Sequence, residues 1–192
     1  MTYARAGVGE SETPVERTPR SLGAAAEELG RLLTGVEVAP PYVVVGHSIG
    51  ALIALIYAAR QPEKLAGVLL VDPTDIQLNL DVEEPEVVLQ DGEPDGRAPF
   101  DVVASVPEVA SARHRLGVPS VVISSRVGRW LDVDDPVPYR PFSLETLDER
   151  WQRAHEELAA DLGATRLIAD VGDHYVQNDQ PELVARAIRS LM

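Results

Sequence analysis

Short unbroken apolar runs alternate along this chain with longer stretches in which apolar residues recur every three or four positions. The short runs are typical of strands buried in a parallel sheet, and the longer stretches are typical of helices that pack one face against it. A strand, a helix and a strand follow each other between residues 42 and 71, which is a βαβ unit. The pattern predicts an α/β fold with strands at 42–45, 66–71, 118–124 and 165–169, and helices at 22–33, 49–60, 144–162 and 181–191.

The first predicted strand ends in the pentapeptide Gly46-His47-Ser48-Ile49-Gly50, and a helical pattern starts at once. Gly-x-Ser-x-Gly between a strand and a helix is the sequence form of a nucleophile elbow, a tight turn that holds a serine clear of its neighbours. We expect both glycines to be needed there, because side chains would collide across the bend. The N-terminus of the helix would face a developing oxyanion, so the Ile49 N–H is predicted to be one oxyanion donor for Ser48.

A serine hydroxyl needs a base to take its proton, and the chain offers four histidines. His47 adjoins the serine on the elbow and is expected to point elsewhere, as a packed supporting residue. His155 lies on the apolar stripe of a long helix and is expected to be a core residue, and His114 is expected to be solvated. His174 follows the last predicted strand, at the carboxyl edge where open α/β sheets place their sites, so it is the predicted base.

The imidazole of such a base is held in the correct tautomer by a carboxylate. Asp72 ends the second strand at the same carboxyl edge, one strand away from the elbow. Asp132, Asp134 and Asp135 follow the third strand, but only after a stretch of loop, and distance along a loop does not exclude them. A carboxylate at a strand end is better fixed, so Asp72 is favoured and the other three stay open.

Composition narrows the classes of protein that remain. The 192 residues fit a single domain, 1–192, in which the weakly periodic segment 74–117 is expected to form a short, loosely ordered lid. There are no cysteines, which excludes disulfides, thiolate metal sites and cysteine catalysis. A net charge of −14 argues against nucleic acid and anionic lipid as partners. No apolar run reaches membrane-spanning length and no signal pattern is present, so a cytoplasmic location is the default.

Serine, acid and histidine in this order resemble the α/β-hydrolases. The resemblance implies a three-layer α/β fold and a serine hydrolase of small esters or related acyl compounds. It further implies an acyl-serine intermediate, with a small-molecule acyl substrate and neither cofactor nor metal. The residues that carry the resemblance are 5–11 as a loop after a strand, 46–50 as the elbow, 67–73 as a strand with its acid, and 173–177 with 180–182 as the histidine loop and final helix.

Two features depart from the family pattern. The family usually carries its acid after the seventh strand, whereas residues 124–128 contain no carboxylate; some members use the end of the sixth strand, where Asp72 lies. The family's first strands and their second oxyanion donor have no counterpart, so the sheet is expected to hold only strands five to eight. Activity would then be impaired, and the alternative is an inactive hydrolase-like binding or interaction protein, or a gene fragment. Residues 42–45 would form an open edge that invites a homodimer or aggregation, unless the chain is a truncated reading of a longer gene.

Overall fold

The computed structural model describes residues 1–5, 10–12, 19–36, 38–83 and 100–192, and a four-stranded sheet lies at its centre. The strand order is β1-β2-β3-β4, and each neighbouring pair runs parallel. Parallel neighbours need crossover connections, and the helices of the chain supply them. The predicted fold class is confirmed, with strands β1 (Tyr42–His47), β2 (Leu65–Val71), β3 (Ser120–Ser124) and β4 (Thr165–Ile168).

The helices begin and end where local chemistry favours it. The Ser21 side chain accepts the Ala24 N–H at the start of the first helix, and Gly163 ends the longest one with a left-handed φ of 65°. The predicted bounds of the helix after the elbow and of the longest helix are confirmed. The helices are α1 (Leu22–Gly35), α2 (Ile49–Arg60), α3 (Ile76–Leu80), α4 (Val102–Ala112), α5 (Leu144–Leu162), α6 (Val176–Asp179) and α7 (Pro181–Ser190).

Alternate residues of β2 face opposite sides of the sheet, as the period of a strand requires. Val68 and Leu70 belong to the core cluster formed with α1 and α2. Leu69 and Val71 belong to the cluster formed with α7. Helices therefore cover both faces of the sheet and give three layers, as predicted. Within the described ranges, no helix is both long enough and apolar enough to cross a membrane.

The segment 74–117 is more regular than its sequence indicates, because α3 and α4 lie within it. The side chains of Asp75 and Asp101 accept backbone N–H groups at the two helix starts. α3 has only five residues and α4 has a proline, Pro107, inside it, so neither has the sequence pattern of a regular helix. The expectation of a loosely ordered segment is therefore wrong for these residues. Residues 84–99, which hold most of the acidic stretch, lie outside the described part of the chain. The role of the segment as a lid stays a prediction.

Strand β1 lies at the edge of the sheet, and in the described structure its pairing partner is β2. Its sequence is typical of a strand buried on both faces, but most of its residues are half-buried and Val45 is 45% exposed. That expectation of burial is therefore wrong, because a sheet edge leaves one side of the strand open. The open edge itself agrees with the sequence-based expectation. Pairing of this edge with a second copy stays a prediction.

Candidate active site

Ser48 lies in the turn between β1 and α2 with a backbone conformation that is rare for any residue except glycine. Its φ is 55° and its ψ is −127°, and its N–H donates to the Val71 carbonyl at 3.0 Å. A non-glycine residue in such a conformation is strained, and strain of this kind is concentrated at functional sites. The strand, the turn and the helix are therefore those of the predicted elbow.

The two glycines of the elbow differ in whether a side chain would fit in their place. A Cβ on Gly46 would lie 2.6 Å from the Ala51 Cα and would overlap the Gly50 carbonyl, so only glycine fits at Gly46. A Cβ on Gly50 would meet no atom of the described residues within 4 Å. The expectation that both glycines are sterically required is therefore wrong for Gly50. Gly50 lines the open cavity, so a side chain there would not collide across the bend.

Ile49 is the first residue of α2, so its N–H has no acceptor within the helix. Ser48 makes no side-chain cap to this helix, and its carbonyl instead accepts the N–H of Ala51 at 3.0 Å. The N–H of Ile49 thus lies beside the hydroxyl-bearing residue at the positive end of a helix dipole. This is the position that the sequence predicts for an oxyanion donor.

Asp72 and His174 lie in contact at the carboxyl edge of the sheet. The His174 Nδ1 donates to the Asp72 Oδ2 at 2.7 Å, although the two residues are 102 positions apart. Asp72 is fully buried, whereas the side chain of His174 is 25% exposed. The buried carboxylate therefore fixes the ring, and the opposite ring nitrogen, Nε2, is left for a second partner.

The other carboxylate oxygen of Asp72 is held by two donors. The Ser125 N–H donates to Oδ1 at 2.7 Å, and the Trp151 indole N–H donates to the same oxygen at 3.0 Å. Burial opposes ionisation of this carboxyl, but the His174 hydrogen bond and the nearby Arg129 charge outweigh it. Together they hold the pKa of Asp72 well below its usual range, so the group is a carboxylate at neutral pH.

The three alternative carboxylates are not engaged with His174 in the described structure, although Asp132 lines the same cavity as Ser48. Asp132 forms an ion pair with Arg126, and its side chain is 70% exposed. Asp135 accepts the backbone N–H of Val137 at 3.0 Å, and Asp134 is exposed. None of them hydrogen-bonds the imidazole in the part of the chain that the structure describes. Of the four predicted candidates, Asp72 is the one that the structure brings to the histidine.

Ser48 and His174 both line one large cavity, of about 1270 Å³, which runs along the free edge of β1. No hydrogen bond joins their side chains in the described structure. The Ser48 hydroxyl instead lies 3.3 Å from the Thr74 hydroxyl. Rotation of the serine side chain about Cα–Cβ would exchange this neighbour for another, and catalytic hydrogen bonds are often long or misaligned without substrate. Thr74 follows Asp72 by two residues, and nothing in the sequence marks its role.

The other two histidines near the site support its loops. The His47 Nε2 donates to the carbonyl of His174 at 2.8 Å, which fits the supporting role predicted for it. The His155 Nε2 donates to the Pro73 carbonyl at 2.8 Å, and its Nδ1 lies 3.8 Å from Asp72 Oδ1. His155 is a buried helix residue, as predicted, but the sequence gives no sign of its closeness to the acid. Burial lowers the pKa of both His47 and His155.

Trp151 and Arg129 are two neighbours of Asp72 that sequence reasoning missed. Trp151 is on the apolar stripe of α5, where a tryptophan is expected to be core, and only the structure shows its N–H on the carboxylate. Arg129 begins a short 3₁₀ helix after β3, and its Nε lies 3.8 Å from Asp72 Oδ2. In the described ranges, no group of three or more histidine or carboxylate side chains could hold a metal ion.

The chain belongs to the α/β hydrolase fold family. The model of that family matches residues 5–101, which is just over half of the chain and includes the elbow and Asp72. His174 lies beyond the matched segment. Four parallel strands flanked by helices are the architecture expected of a member, and Ser48 occupies the turn that the family uses for its nucleophile.

Similar proteins match almost the whole chain. The uncharacterized protein YqjL of Bacillus subtilis is 28% identical over 198 aligned positions, covering 98% of this chain and 70% of that protein. The crystal structure of a probable hydrolytic enzyme from Pseudomonas aeruginosa has a TM-score of 0.62 at 16% identity, covering 98% of this chain and 74% of that one. The crystal structure of a monoacylglycerol lipase from Paleococcus ferrophilus has a TM-score of 0.59 at 15% identity, and the match covers 97% of this chain and 80% of that one. At such identities the two solved structures show the fold alone.

Proposed function

We propose that this protein is a serine hydrolase that cleaves esters or related acyl compounds of small molecules. Ser48 is the nucleophile, His174 the general base and acid, and Asp72 the carboxylate that orients the imidazole. The N–H of Ile49 stabilises the oxyanion. The observation that carries the proposal is the 2.7 Å hydrogen bond between His174 and the buried Asp72, in a cavity that Ser48 also lines.

The reaction begins when the Ser48 Oγ attacks the carbonyl carbon of the ester. Its proton passes to the His174 Nε2, while the carbonyl oxygen becomes an oxyanion that accepts the Ile49 N–H. The imidazolium formed in this step is stabilised by Asp72 across the Nδ1–H bond. The tetrahedral intermediate then expels the alcohol oxygen, which takes the proton from Nε2, and an ester of Ser48 with the acyl group remains.

Water completes the cycle by the same route. The His174 Nε2 takes a proton from a water molecule, whose oxygen attacks the acyl carbon on Ser48. When the second tetrahedral intermediate breaks down, the Ser48 Oγ leaves and recovers its proton from the imidazolium. The carboxylic acid is released, and no oxidant, reductant or cofactor takes part. With the Ile49 N–H as the one donor assigned, we expect turnover to be lower by about 10²–10³ than with two.

A second candidate is a hydrolase-like protein that binds ligands without useful catalysis. It is favoured by the 3.3 Å contact between the Ser48 and Thr74 hydroxyls, which holds the serine on a neighbour other than the base. A serine whose hydroxyl stays on Thr74 would not be activated. The two candidates therefore differ in whether Ser48 reacts with an electrophile.

Labelling with a fluorophosphonate probe separates the two candidates. The purified full chain is incubated with the probe, and intact mass spectrometry counts the adducts. The serine hydrolase is supported if the wild-type protein gains one adduct, peptide mapping places it on Ser48, and Ser48→Ala gains none. An unmodified wild-type protein supports the second candidate.

Thr74→Val tests whether the hydroxyl contact holds the serine back. Valine keeps the shape of threonine but removes the hydroxyl, so Ser48 loses the neighbour that competes with His174. If the protein is a serine hydrolase, we expect the probe to label Thr74→Val at the wild-type rate or faster. Ser11→Ala is the control, because its hydroxyl donates to the Ala4 carbonyl in an exposed segment and has no contact with Ser48.

A further inference from the structure

We infer that Arg129 forms an anion-binding subsite beside the catalytic residues, which selects esters that carry a carboxylate group. The inference rests on the proposed hydrolase function and deepens it by naming a substrate class. Arg129 lies in the wall of the cavity that Ser48 and His174 line. Its side chain is only 9% exposed, so the guanidinium is held at the site and does not extend into bulk solvent.

Two aromatic rings fix the position of this guanidinium. Its central carbon lies 4.1 Å from the centre of the Trp130 ring and 4.8 Å from that of Trp151. Stacking on aromatic faces stabilises the cation and limits its rotamers, which lowers the entropy lost when a ligand binds. The guanidinium is therefore preorganised.

Among the described residues, most of the donors of Arg129 have no strong acceptor. Its Nε is buried and has no hydrogen bond in the described structure. Its Nη1 donates to the Asp173 carboxylate at 3.3 Å, which is at the long end of the range for such bonds. A guanidinium has five N–H donors, and charge-assisted bonds to it are normally shorter. A buried arginine with one long bond retains capacity for a planar oxyanion.

The carboxylates near Arg129 are each engaged more closely by other groups. Asp72 accepts bonds of 2.7–3.0 Å from His174, Ser125 and Trp151, against 3.8 Å to the Arg129 Nε. The Asp173 Oδ1 accepts the backbone N–H of His174 at 2.7 Å, and its side chain is 71% exposed. Solvation of Asp173 keeps its hold on the guanidinium weak, so a substrate carboxylate can displace it.

The test compares matched charged and neutral esters. The acyl side is probed with 4-nitrophenyl hydrogen adipate against its methyl-capped analogue, and the alcohol side with 4-acetoxybenzoate against methyl 4-acetoxybenzoate. The kcat/KM of each ester is measured for the full-length wild type, Arg129→Met and Arg129→Lys. Arg113→Gln is the control, because Arg113 pairs with Asp161 and neither residue lines the cavity. The readout is kcat/KM for the charged ester divided by kcat/KM for the neutral ester, measured with the same protein. This ratio cancels any general loss of activity.

We expect that ratio to fall about tenfold or more in Arg129→Met for at least one of the two pairs, which identifies the side of the ester that carries the carboxylate. The ratio should fall less in Arg129→Lys, and in Arg113→Gln it should match the wild type. If the neutral esters are hydrolysed and both ratios are the same in wild type and Arg129→Met, the subsite is refuted while the hydrolase function stands. If no ester is hydrolysed, the proposed function and the subsite fail together.

Discussion

The two halves of the candidate site differ sharply in how firmly they are held. On the β2 side, the Asp72 carboxylate is fully buried and accepts three hydrogen bonds of 2.7–3.0 Å. On the β1 side, Ser48 is half-buried in a strained turn, beside a free sheet edge and a cavity of about 1270 Å³. Asp72 and His174, the proposed acid and base, thus form a rigid unit. In the described structure Ser48, the proposed nucleophile, has only the 3.3 Å contact with the Thr74 hydroxyl in addition to its backbone.

This difference indicates which interactions are built into the fold and which depend on a bound ligand. Packing determines the acid and base contacts, so they are complete without substrate. The serine hydroxyl has a choice of partners and rests 3.3 Å from Thr74. Substitutions on the β2 side should therefore act on turnover through preorganisation. Substitutions on the β1 side should act through the backbone of the elbow or through the open edge.

The largest effect is expected for Asp72→Asn. Asparagine keeps the size of the side chain but removes the charge that orients and stabilises the imidazole, so kcat for ester hydrolysis should fall by about 10⁴. Asp132→Asn is the matched control, because Asp132 lines the same cavity but pairs with Arg126 and makes no hydrogen bond to His174 in the described structure. Its kcat should stay within a factor of two or so of the wild type. Loss of activity in Asp132→Asn but not in Asp72→Asn would reverse the assignment of the acid.

Gly46→Ala should be the most destabilising substitution in the elbow. The new Cβ would meet backbone atoms of Gly50 and Ala51, which cannot move away as a side chain could, so we expect a loss of about 3 kcal/mol or more. Gly50→Ala has open space and replaces a helical glycine, so it should be neutral or stabilising by up to about 1 kcal/mol. Urea unfolding measures both free energies. Equal values for the two variants would show that the elbow is not packed as described.

Stability should fall as the solution is acidified, in two stages. Burial lowers the pKa of His155 and His47 in the folded state, so the unfolded chain binds protons first and stability declines below about pH 6.5. The pKa of Asp72 is also depressed, so its contribution is present above about pH 4 and is lost at lower pH. Unfolding titrations between pH 3 and pH 8 test this. A free energy of unfolding that rises on acidification would contradict it.

The indole N–H of Trp151 should matter for turnover, and that of Trp130 should not. Trp151→Phe keeps an aromatic ring but removes a donor from Asp72, so kcat should fall about tenfold. The indole N–H of Trp130 is buried with no acceptor in the described structure, so Trp130→Phe loses no hydrogen bond. Steady-state kinetics on a neutral ester separate the two. Similar kcat values for both variants would show that the Trp151 bond has no part in positioning the acid.

The smallest effect is expected at the free edge of β1. Val45 is 45% exposed there, and an open apolar strand edge favours pairing with a second copy. We expect a concentration-dependent dimer in size-exclusion chromatography with light scattering, and a weaker one for Val45→Lys, because a charged edge opposes strand pairing. A clean monomer at high protein concentration would contradict the expectation.

The parts of the fold that depend on local pattern could be predicted from the sequence. Helices α2 and α5, the elbow around Ser48 and the strand that ends at Asp72 each have an apolar period or a turn motif. Helices α3 and α4 could not be predicted, because α3 has only five residues and α4 contains Pro107, which is unfavourable inside a helix. The contacts of the site depend on side chains that are distant in the chain and carry no local signal, as for Trp151 and Arg129.

The central claim is that His174 activates Ser48, and the rate of fluorophosphonate labelling tests it most directly. The second-order rate constant is measured for the wild type and for His174→Gln, with the adduct mapped to its residue. The account predicts a Ser48 adduct in the wild type and labelling slower by about 10³ or more in His174→Gln. Equal rates in the two proteins, or a wild-type adduct at another residue, would contradict it.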